Sequence, residues 1–302
     1  MEFPHLARLS RVECRQLLPS APFGRLAVPT PHFPTLEPVS FAMVEGELVV
    51  AVRAGSAGDA LPVGAVVAFE ADVLDQVARR GWSVVVSGPV EELDADVAAL
   101  VRPLLAPWPP AGSDRLLLIQ SDRITGQRVV SEPVVVSELS GPVGPAADAE
   151  NSEFDTARRT LSPEEAMTRL QRGGQTVGRL VVGVPGGPAV FPLNFAVDGD
   201  AIVFRTQVGT KLTAITRSLA TFEIDDIDAS GHGWAVTFEG LAQEIIDADS
   251  AALRSRMAVT ALDTWPGGDR PHVVRITPYR VHGTAWTAVV PTVAAAPKSA
   301  SV

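Results

Sequence analysis

The segment Gly24-Arg25-Leu26-Ala27-Val28 returns further along the chain as Gly178-Arg179-Leu180-Val181-Val182. Four more pairs of segments repeat in the same order: Pro38-Val39-Ser40-Phe41-Ala42 with Pro192-Leu193-Asn194-Phe195-Ala196, Phe69-Glu70-Ala71-Asp72 with Phe222-Glu223-Ile224-Asp225, Gly81-Trp82-Ser83-Val84 with Gly233-Trp234-Ala235-Val236, and Asp114-Arg115 with Asp269-Arg270. Each pair is separated by roughly 150 residues, the length of one ordinary domain, whereas solenoid repeats are about 20–50 residues long. The sequence therefore predicts one domain duplicated in tandem.

Both copies have the same predicted order of elements. A short helix opens each copy, at residues 10–18 and 162–172, and Ser162 followed by Pro163 is typical of a helix N-terminus. Runs rich in Val and broken by Gly, Pro and Asp indicate short strands, at residues 24–29, 38–44, 47–53, 64–71 and 81–92 in the first copy and at 177–184, 189–197, 200–206, 219–225 and 233–245 in the second. Each copy then ends in a helix and two strands: 94–105, 115–121 and 127–130 in the first, and 248–260, 272–277 and 280–286 in the second.

Six or seven short antiparallel strands with few helices are typical of a small barrel. We therefore expect a mainly β protein with two tandem barrels and few helices. The predicted divisions are a first domain at 1–130, a linker at 131–158, a second domain at 159–288 and a flexible tail at 289–302. The tail is rich in Ala, Pro and Ser, and such termini seldom pack against a domain.

Composition excludes several classes of function. The 302 residues carry a formal net charge of −10, so the chain lacks the basic surface that attracts nucleic acid. Cys14 is the single cysteine, which excludes an internal disulfide. No apolar signal segment opens the chain, and Gly and Pro interrupt its longest uncharged stretch, 180–197. We expect a cytoplasmic protein that binds neither nucleic acid nor a membrane.

One segment of the second copy has the chemistry of a phosphate-binding site. A predicted strand ends in Arg205 and Thr206, and a loop containing Gly209 leads to Thr210 and Lys211 at the start of a helix. A phosphate monoester needs several donors, which the two cations, the two hydroxyls and the loop N–H groups can supply. The segment lacks the spacing of a Walker A loop. Taken alone, a segment of this kind more often forms a solvated turn in which Arg205 and Lys211 face water.

The ordered set of motifs resembles the pyridoxamine 5′-phosphate oxidase-like superfamily of FMN-binding split β-barrels. The matching segments are 178–180, 192–195, 204–212, 221–225 and 233–236 in the second copy, and Pro107-Trp108 and 122–128 in the first. The resemblance extends over roughly residues 7–130 and 158–286. Because members of this superfamily bind flavin between two paired barrels, it implies an intrachain pseudo-dimer of split β-barrels.

The resemblance also implies which residues hold the flavin. They are Asn194, Arg205, Thr206, Gly209, Thr210 and Lys211 from the second copy, completed by Trp108 and Arg128 from the first. The first copy departs from the pattern, because its loop keeps Arg53 but has Asp59 at about the position of the lysine. A carboxylate repels a phosphate dianion. We therefore expect one FMN per chain.

The implied function is FMN binding, with the chain acting as a flavin-dependent oxidoreductase on a small molecule. FAD, a deazaflavin or haem in the same groove remain open, as does a non-catalytic flavin- or haem-binding or sensing protein. No side chain stands out as a general acid or base, so the catalytic residues stay unassigned. The five histidines lack the helical spacing of a zinc site, and we expect no metal. The expected assembly is a monomer with an internal pseudo-dimer, or a homodimer of it.

Overall fold

The computed structural model of the protein describes residues 5–75, 80–105, 115–130, 157–172, 176–207, 209–215, 218–227, 232–245 and 270–287. Antiparallel strands dominate these ranges and fall into two sheets, one in each half of the sequence. None of the helices described is long and apolar enough to cross a membrane.

The first half forms a closed barrel. Its described elements, in chain order, are β1 (His5–Leu9), α1 (Arg11–Leu17), β2 (Gly24–Val28), β3 (Thr35–Val44), β4 (Glu47–Val52), β5 (Val66–Asp75), β6 (Arg80–Glu92), α2 (Ala95–Val101), β7 (Arg115–Ile119) and β8 (Arg123–Val130). The strands pair in the order β1-β8-β6-β5-β2-β3-β4-β7, and β7 also pairs with β6. This additional pairing closes β2 to β7 into a barrel of six strands.

The second half repeats the arrangement. Its described elements are β9 (Ala157–Leu161), α3 (Pro163–Gln171), β10 (Val177–Val184), β11 (Gly187–Asp198), β12 (Ala201–Thr206), α4 (Thr210–Ile215), β13 (Ser218–Ile227), β14 (Gly233–Ile245) and β15 (His272–Thr287). The strand order is β12-β11-β10-β13-β14-β15-β9, and β12 also pairs with β15. The predicted mainly β fold of two tandem barrels is confirmed.

Two details differ from the sequence prediction. The strands predicted at 272–277 and 280–286 are one continuous strand, β15, which follows β14 through a register shift between Glu239 and Gly240. The edge strands β1 and β9 were not predicted, because each has only five residues and pairs along one side with a distant strand. The predicted linker except its last two residues, the helix at 248–260 and the tail at 289–302 all lie outside the described residues.

Each barrel has its own core, and a repeated glycine makes room for it. A Cβ on Gly24 would lie 2.1 Å from the ring of Phe69, and one on Gly178 would lie 2.3 Å from the ring of Phe222. Both rings are fully buried, and burying a Phe side chain stabilises the fold by about 1.5–3 kcal/mol. Any larger residue at either glycine would displace a central ring.

Both opening helices begin with the same cap. The Ser162 hydroxyl accepts from the main-chain N–H of Glu165, while the Glu165 carboxylate accepts from the N–H of Ser162. Ser10 and Glu13 form the same reciprocal pair at the start of α1. The predicted N-cap role of Ser162 is confirmed, and the duplication extends to the hydrogen bonds that start each helix.

The two barrels pack directly against each other. Buried apolar residues of both halves form one shared cluster that consists of Ala27, Leu36, Ala68, Val181 and Val190. A hydroxyl bond also crosses the interface, from Thr221 of β13 to the carbonyl oxygen of Pro34. The chain is therefore an intrachain pseudo-dimer, in which each half covers the apolar face of the other.

Candidate functional site

Arg205 lies at the end of β12 and has a second arginine beside it. Its Nε donates to the main-chain carbonyl oxygen of Arg270 at 2.9 Å. Burial lowers the pKa of Arg270, and the positive charge of Arg205 lowers it further. An anion bound here would relieve the repulsion between the two guanidinium groups, so the pair suits a phosphate.

The remaining residues of the predicted phosphate loop follow Arg205 directly. Thr206 is buried, and its hydroxyl lies 3.4 Å from the carbonyl oxygen of Gln207. Gly209 has a φ of +153°, a conformation that residues with a side chain rarely adopt. Thr210 and Lys211 begin α4, and their side chains lie outside the described part of the chain. The structure thus places these residues on one strand-loop-helix connection.

Of two other predicted site residues, the structure describes Asn194, which lies on β11 next to β12. The Asn194 side-chain amide donates to the carbonyl oxygen of Thr176 at 3.2 Å, which ties β11 to the start of β10. Trp108 falls outside the described residues. Both stay predictions as cofactor contacts.

Arg128 lies on the side of β8 that faces α1. A Cβ on Gly126, two residues earlier on the same strand, would meet the Cys14 sulfur of α1. Hydrogen bonds from Ser10 lower the pKa of Glu13 in α1, and the charge of Arg128 contributes in the same direction. The structure therefore brings exposed Arg128 towards Glu13, and the opposite face of β8 carries Thr125, Gln127 and Val129.

In the first barrel, carboxylates accept hydrogen bonds from the main-chain N–H groups of the corresponding loop. Glu37 on β3 accepts from the N–H groups of Ala57 at 2.8 Å and Gly58 at 3.3 Å. Asp59 accepts from the N–H of Gly55 at 2.9 Å. A bound phosphate would need donors of this kind. In the first loop these N–H groups already donate to carboxylates of the same barrel.

The second barrel lacks that internal acceptor. Strand register places Glu37 opposite Leu26 on β2, and Phe191 opposite Leu180 on β10. Phe191 is thus the counterpart of Glu37, and a phenyl ring cannot accept these hydrogen bonds. The two loops therefore differ in whether a side chain at this position, Glu37 or Phe191, accepts hydrogen bonds from the loop N–H groups.

Register also corrects one alignment. Ala51 pairs with Ser40 on β3, and the same counting on β11 and β12 gives Arg205 as the counterpart of Ala51. Arg53 then corresponds to Gln207. The interpretation of Arg53 as the retained equivalent of Arg205 is therefore wrong, and the first barrel has no arginine at that strand position.

A pocket of about 250 Å³ lies between the first-barrel loop and the last strands of the second barrel. Its charged and polar lining includes Glu37, Arg53 and Ser56 from the first barrel and Arg158, His282 and Trp286 from the second. The Arg158 guanidinium carbon lies 5.8 Å from the centre of the Trp286 ring. Both halves of the duplication thus build this pocket.

The repeated motifs themselves meet in a buried cluster of charges between the barrels. It consists of Arg25, Glu70 and Asp72 from the first half and Arg179, Glu223 and Asp225 from the second. Arg25 reaches across to Asp225, with Nε 2.6 Å and Nη2 2.9 Å from its carboxylate oxygens. Arg179 reaches across in the other direction, with Nη2 2.6 Å from Asp72.

The sequence profile of the pyridoxamine 5′-phosphate oxidase family matches residues 10–141 and again residues 162–290. The chain belongs to this family. The two matches cover both barrels, so this family member carries its domain twice.

Individual relatives match one family domain each. An uncharacterized protein of Mycobacterium tuberculosis, Rv0080, is 35% identical over 136 residues, which are 42% of this chain and 88% of the relative. A solved FAD-binding protein from Mycobacterium smegmatis is 30% identical over 43% of this chain and 100% of its own, with a TM-score of 0.36. A solved FAD-binding protein from Mesorhizobium loti is 23% identical over 44% of this chain and 99% of its own, with a TM-score of 0.38.

In this tandem family member, the two glutamates of the charge cluster have different pKa values. Burial raises the pKa of Glu70 to about 7, and the neighbouring Asp72 adds to the effect. Burial and Asp225 raise the pKa of Glu223 far above its usual range. Glu70 accepts a hydrogen bond from the Ser83 hydroxyl at 3.1 Å. Ser83 lies opposite Asp72 in the first barrel, and the residue opposite Asp225 in the second barrel is Ala235. Alanine therefore replaces this serine in the second barrel. Ala235 offers Glu223 no hydroxyl of this kind.

Sequence reasoning missed the charge cluster and Arg270. Their signal was present, because Arg25, Glu70, Asp72 and Arg270 all stand in segments that repeat. A repeated arginine and two repeated acids on neighbouring strands could have been interpreted as ion-pair partners. What the sequence lacked was the packing of one barrel on the other, which brings Arg25 to Asp225.

Proposed function

We propose that this family member binds one flavin per chain, as FMN, in the groove beside the second-barrel loop, and that it acts as a flavin-dependent oxidoreductase on a small molecule. The proposal rests on the family and on the unequal loops. When bound, the flavin supplies the redox chemistry, and the protein binds and orients it.

The observation that carries the proposal is the cationic pair Arg205 and Arg270 beside a loop without a competing carboxylate. A phosphate monoester carries a charge of about −1.5 to −2 at neutral pH. Arg205, Thr206 and the adjacent N–H groups offer it charge-assisted and neutral donors, and Lys211 adds a third cation. In the first barrel the same place holds Ala51, with Glu37 across the loop.

The deciding experiment is a titration of the apo-protein with FMN, followed by quenching of flavin fluorescence. We expect saturation at one equivalent. Arg205→Ala and Lys211→Ala should each weaken binding about thirtyfold, or about 2 kcal/mol, because each removes a charge-assisted contact to phosphate. Arg53→Ala serves as a control, because it removes a loop arginine outside the proposed flavin groove, and it should leave the affinity within about threefold of the unmodified protein.

Two outcomes would contradict the proposal. Saturation at two equivalents of similar affinity would show that both loops bind flavin, and equal losses from Arg53→Ala and Arg205→Ala would remove the asymmetry.

Parallel titrations with FAD and a deazaflavin identify the preferred cofactor. Reduction of the bound flavin by a nicotinamide nucleotide, followed by absorbance, tests the oxidoreductase role separately from binding.

A further inference from the structure

The pocket beside the first-barrel loop contains more positive charge than its own acids neutralise. Arg53 and Arg158 both line it, and Glu37 is the acid among its lining residues. Burial lowers the pKa of Arg158, the charge of Arg53 lowers it further, and Glu37 opposes both effects. The two arginines and one glutamate leave about one unit of positive charge, which suits a monoanion.

Two buried polar atoms of this pocket have no hydrogen-bond partner within the described structure. They are Nε of Arg158 and Nδ1 of His282. Leaving a buried polar atom unpaired costs about 1–3 kcal/mol, and more when the group is charged. Both atoms belong to residues that line the same cavity, so a ligand bound there lies beside two side chains with unused hydrogen-bonding capacity.

The size and lining of the pocket narrow the class of ligand. Its volume of about 250 Å³ lies below the ~300–1,000 Å³ typical of sites for drug-sized molecules. Leu36, Val39 and Trp286 supply apolar surface beside the arginines. Glu37 already occupies the loop N–H groups that would otherwise receive a phosphate.

We propose that this pocket binds a small organic carboxylate, whose oxygens meet Arg158 and His282 and whose apolar body lies against Leu36 and Trp286. The site is separate from the flavin groove of the second-barrel loop. It uses the first-barrel loop as a closed wall, with Glu37 in the place of a phosphate.

Isothermal titration calorimetry with benzoate tests this site on the FMN-saturated protein. Benzamide has the same shape without the charge, and phenyl phosphate replaces the carboxylate by a phosphate. We expect benzoate to bind at one equivalent per chain, and benzamide and phenyl phosphate to bind at least about tenfold more weakly. No saturable heat from benzoate up to about 10 mM, or tighter binding of phenyl phosphate, would overturn the proposal.

A matched pair of variants locates the binding. Arg158→Gln should weaken benzoate at least about tenfold, whereas Arg159→Gln should change it less than about twofold. Arg159 is the next residue of β9 and pairs with Glu165 on the other side. Equal effects of the two variants would overturn the assignment. Arg53→Gln is a second test on the opposite wall, and it too should weaken benzoate.

The flavin content of each variant separates this site from the proposed function. Arg158→Gln should retain one FMN per chain, so loss of benzoate binding with full flavin binding supports two separate sites. Competition between benzoate and FMN in the unmodified protein would place both ligands in one groove and overturn the present proposal, while leaving flavin binding intact.

Discussion

The groove beside the first-barrel loop and its pseudo-symmetric counterpart beside the second loop differ in where their cations stand. On the loop side, strand register shows that Ala51 of the first half and Arg205 of the second occupy equivalent positions. On the facing wall, Arg158 of the second half is equivalent to Leu6 of the first. Arg158 lies opposite Trp286 on β15, and Leu6 lies opposite Val129 at the same position of β8. At these two strand positions the second groove has an arginine on the loop side, Arg205, whereas the first has one on the facing wall, Arg158, in addition to Arg53 from its loop.

This difference shows what a tandem duplication permits. A homodimer of one domain must build two identical grooves, because each substitution appears in both. Here each half changes independently, so one loop has Phe191 and the other Glu37 at the same strand position. The shared elements are those of the fold: the two repeated glycines, the two helix caps and the six charged residues between the barrels.

The largest expected effect comes from breaking the shared charge cluster. Arg25→Ala would leave Glu70 and Asp225 buried without their main partner. Removing one member of a buried ion pair costs about 3–5 kcal/mol, which urea unfolding would measure. Arg80→Ala serves as the control, since Arg80 pairs with Asp75 at an exposed site. A loss below about 1 kcal/mol for Arg25→Ala would show that the cluster does not hold the barrels together.

The next effect distinguishes the two halves of that cluster by pH. Glu70 and Glu223 have raised pKa values in the folded protein, so the folded state holds more protons than the unfolded state above about pH 4.3. Stability therefore falls as pH rises, by up to about 1.4 kcal/mol per pH unit for each group. For Glu70 the fall ends near pH 7, and for Glu223 it continues above.

Amide variants test this difference directly. Glu70→Gln should flatten the pH dependence of the free energy of unfolding only below about pH 7, and Glu223→Gln should flatten it at higher pH as well. Urea unfolding at intervals of one pH unit provides the measurement. Identical profiles for the two variants would mean that the Ser83 hydroxyl, which only Glu70 contacts, makes no difference.

A smaller effect is expected at the first-barrel loop. Glu37→Ala removes the acceptor of two main-chain N–H groups, those of Ala57 and Gly58, and should cost about 1–2 kcal/mol. Glu37→Gln keeps one acceptor oxygen and should cost less. Thermal or urea unfolding without added ligand gives the comparison. If both variants are as stable as the unmodified protein, the carboxylate is not what satisfies this loop.

The smallest effect should be equal in the two halves. Ser10→Ala and Ser162→Ala each remove one N-cap hydroxyl that accepts from the third helical N–H, and each should cost about 1 kcal/mol. Chemical denaturation measures both. A difference of more than about 1 kcal/mol between them would show that contacts around the two caps differ, so that the cap hydroxyl alone does not set the loss.

Much of the fold was predictable because strands and turns are encoded locally. Runs such as 47–53 and 200–206 alternate or concentrate Val and Ile between turn residues, and both are strands. The continuity of β15 was not predictable, since Pro278 suggests an interruption, which the strand accommodates by leaving Tyr279 without a partner opposite Glu239 and Gly240. The short edge strands β1 and β9 depend on partners far away in sequence.

The sequence by itself determined the duplication, the barrel class and the position of the candidate phosphate loop, because repeats, strand patterns and turn residues are properties of neighbouring positions along the chain. Only the tertiary structure decided that Arg25 pairs with Asp225, that Arg270 lies beside Arg205 and that Arg158 meets Arg53 in one pocket. Each of these contacts joins residues more than fifty positions apart. The packing of one barrel on the other, or the closure of a barrel, brings them within reach, and no local preference of the chain specifies that distance.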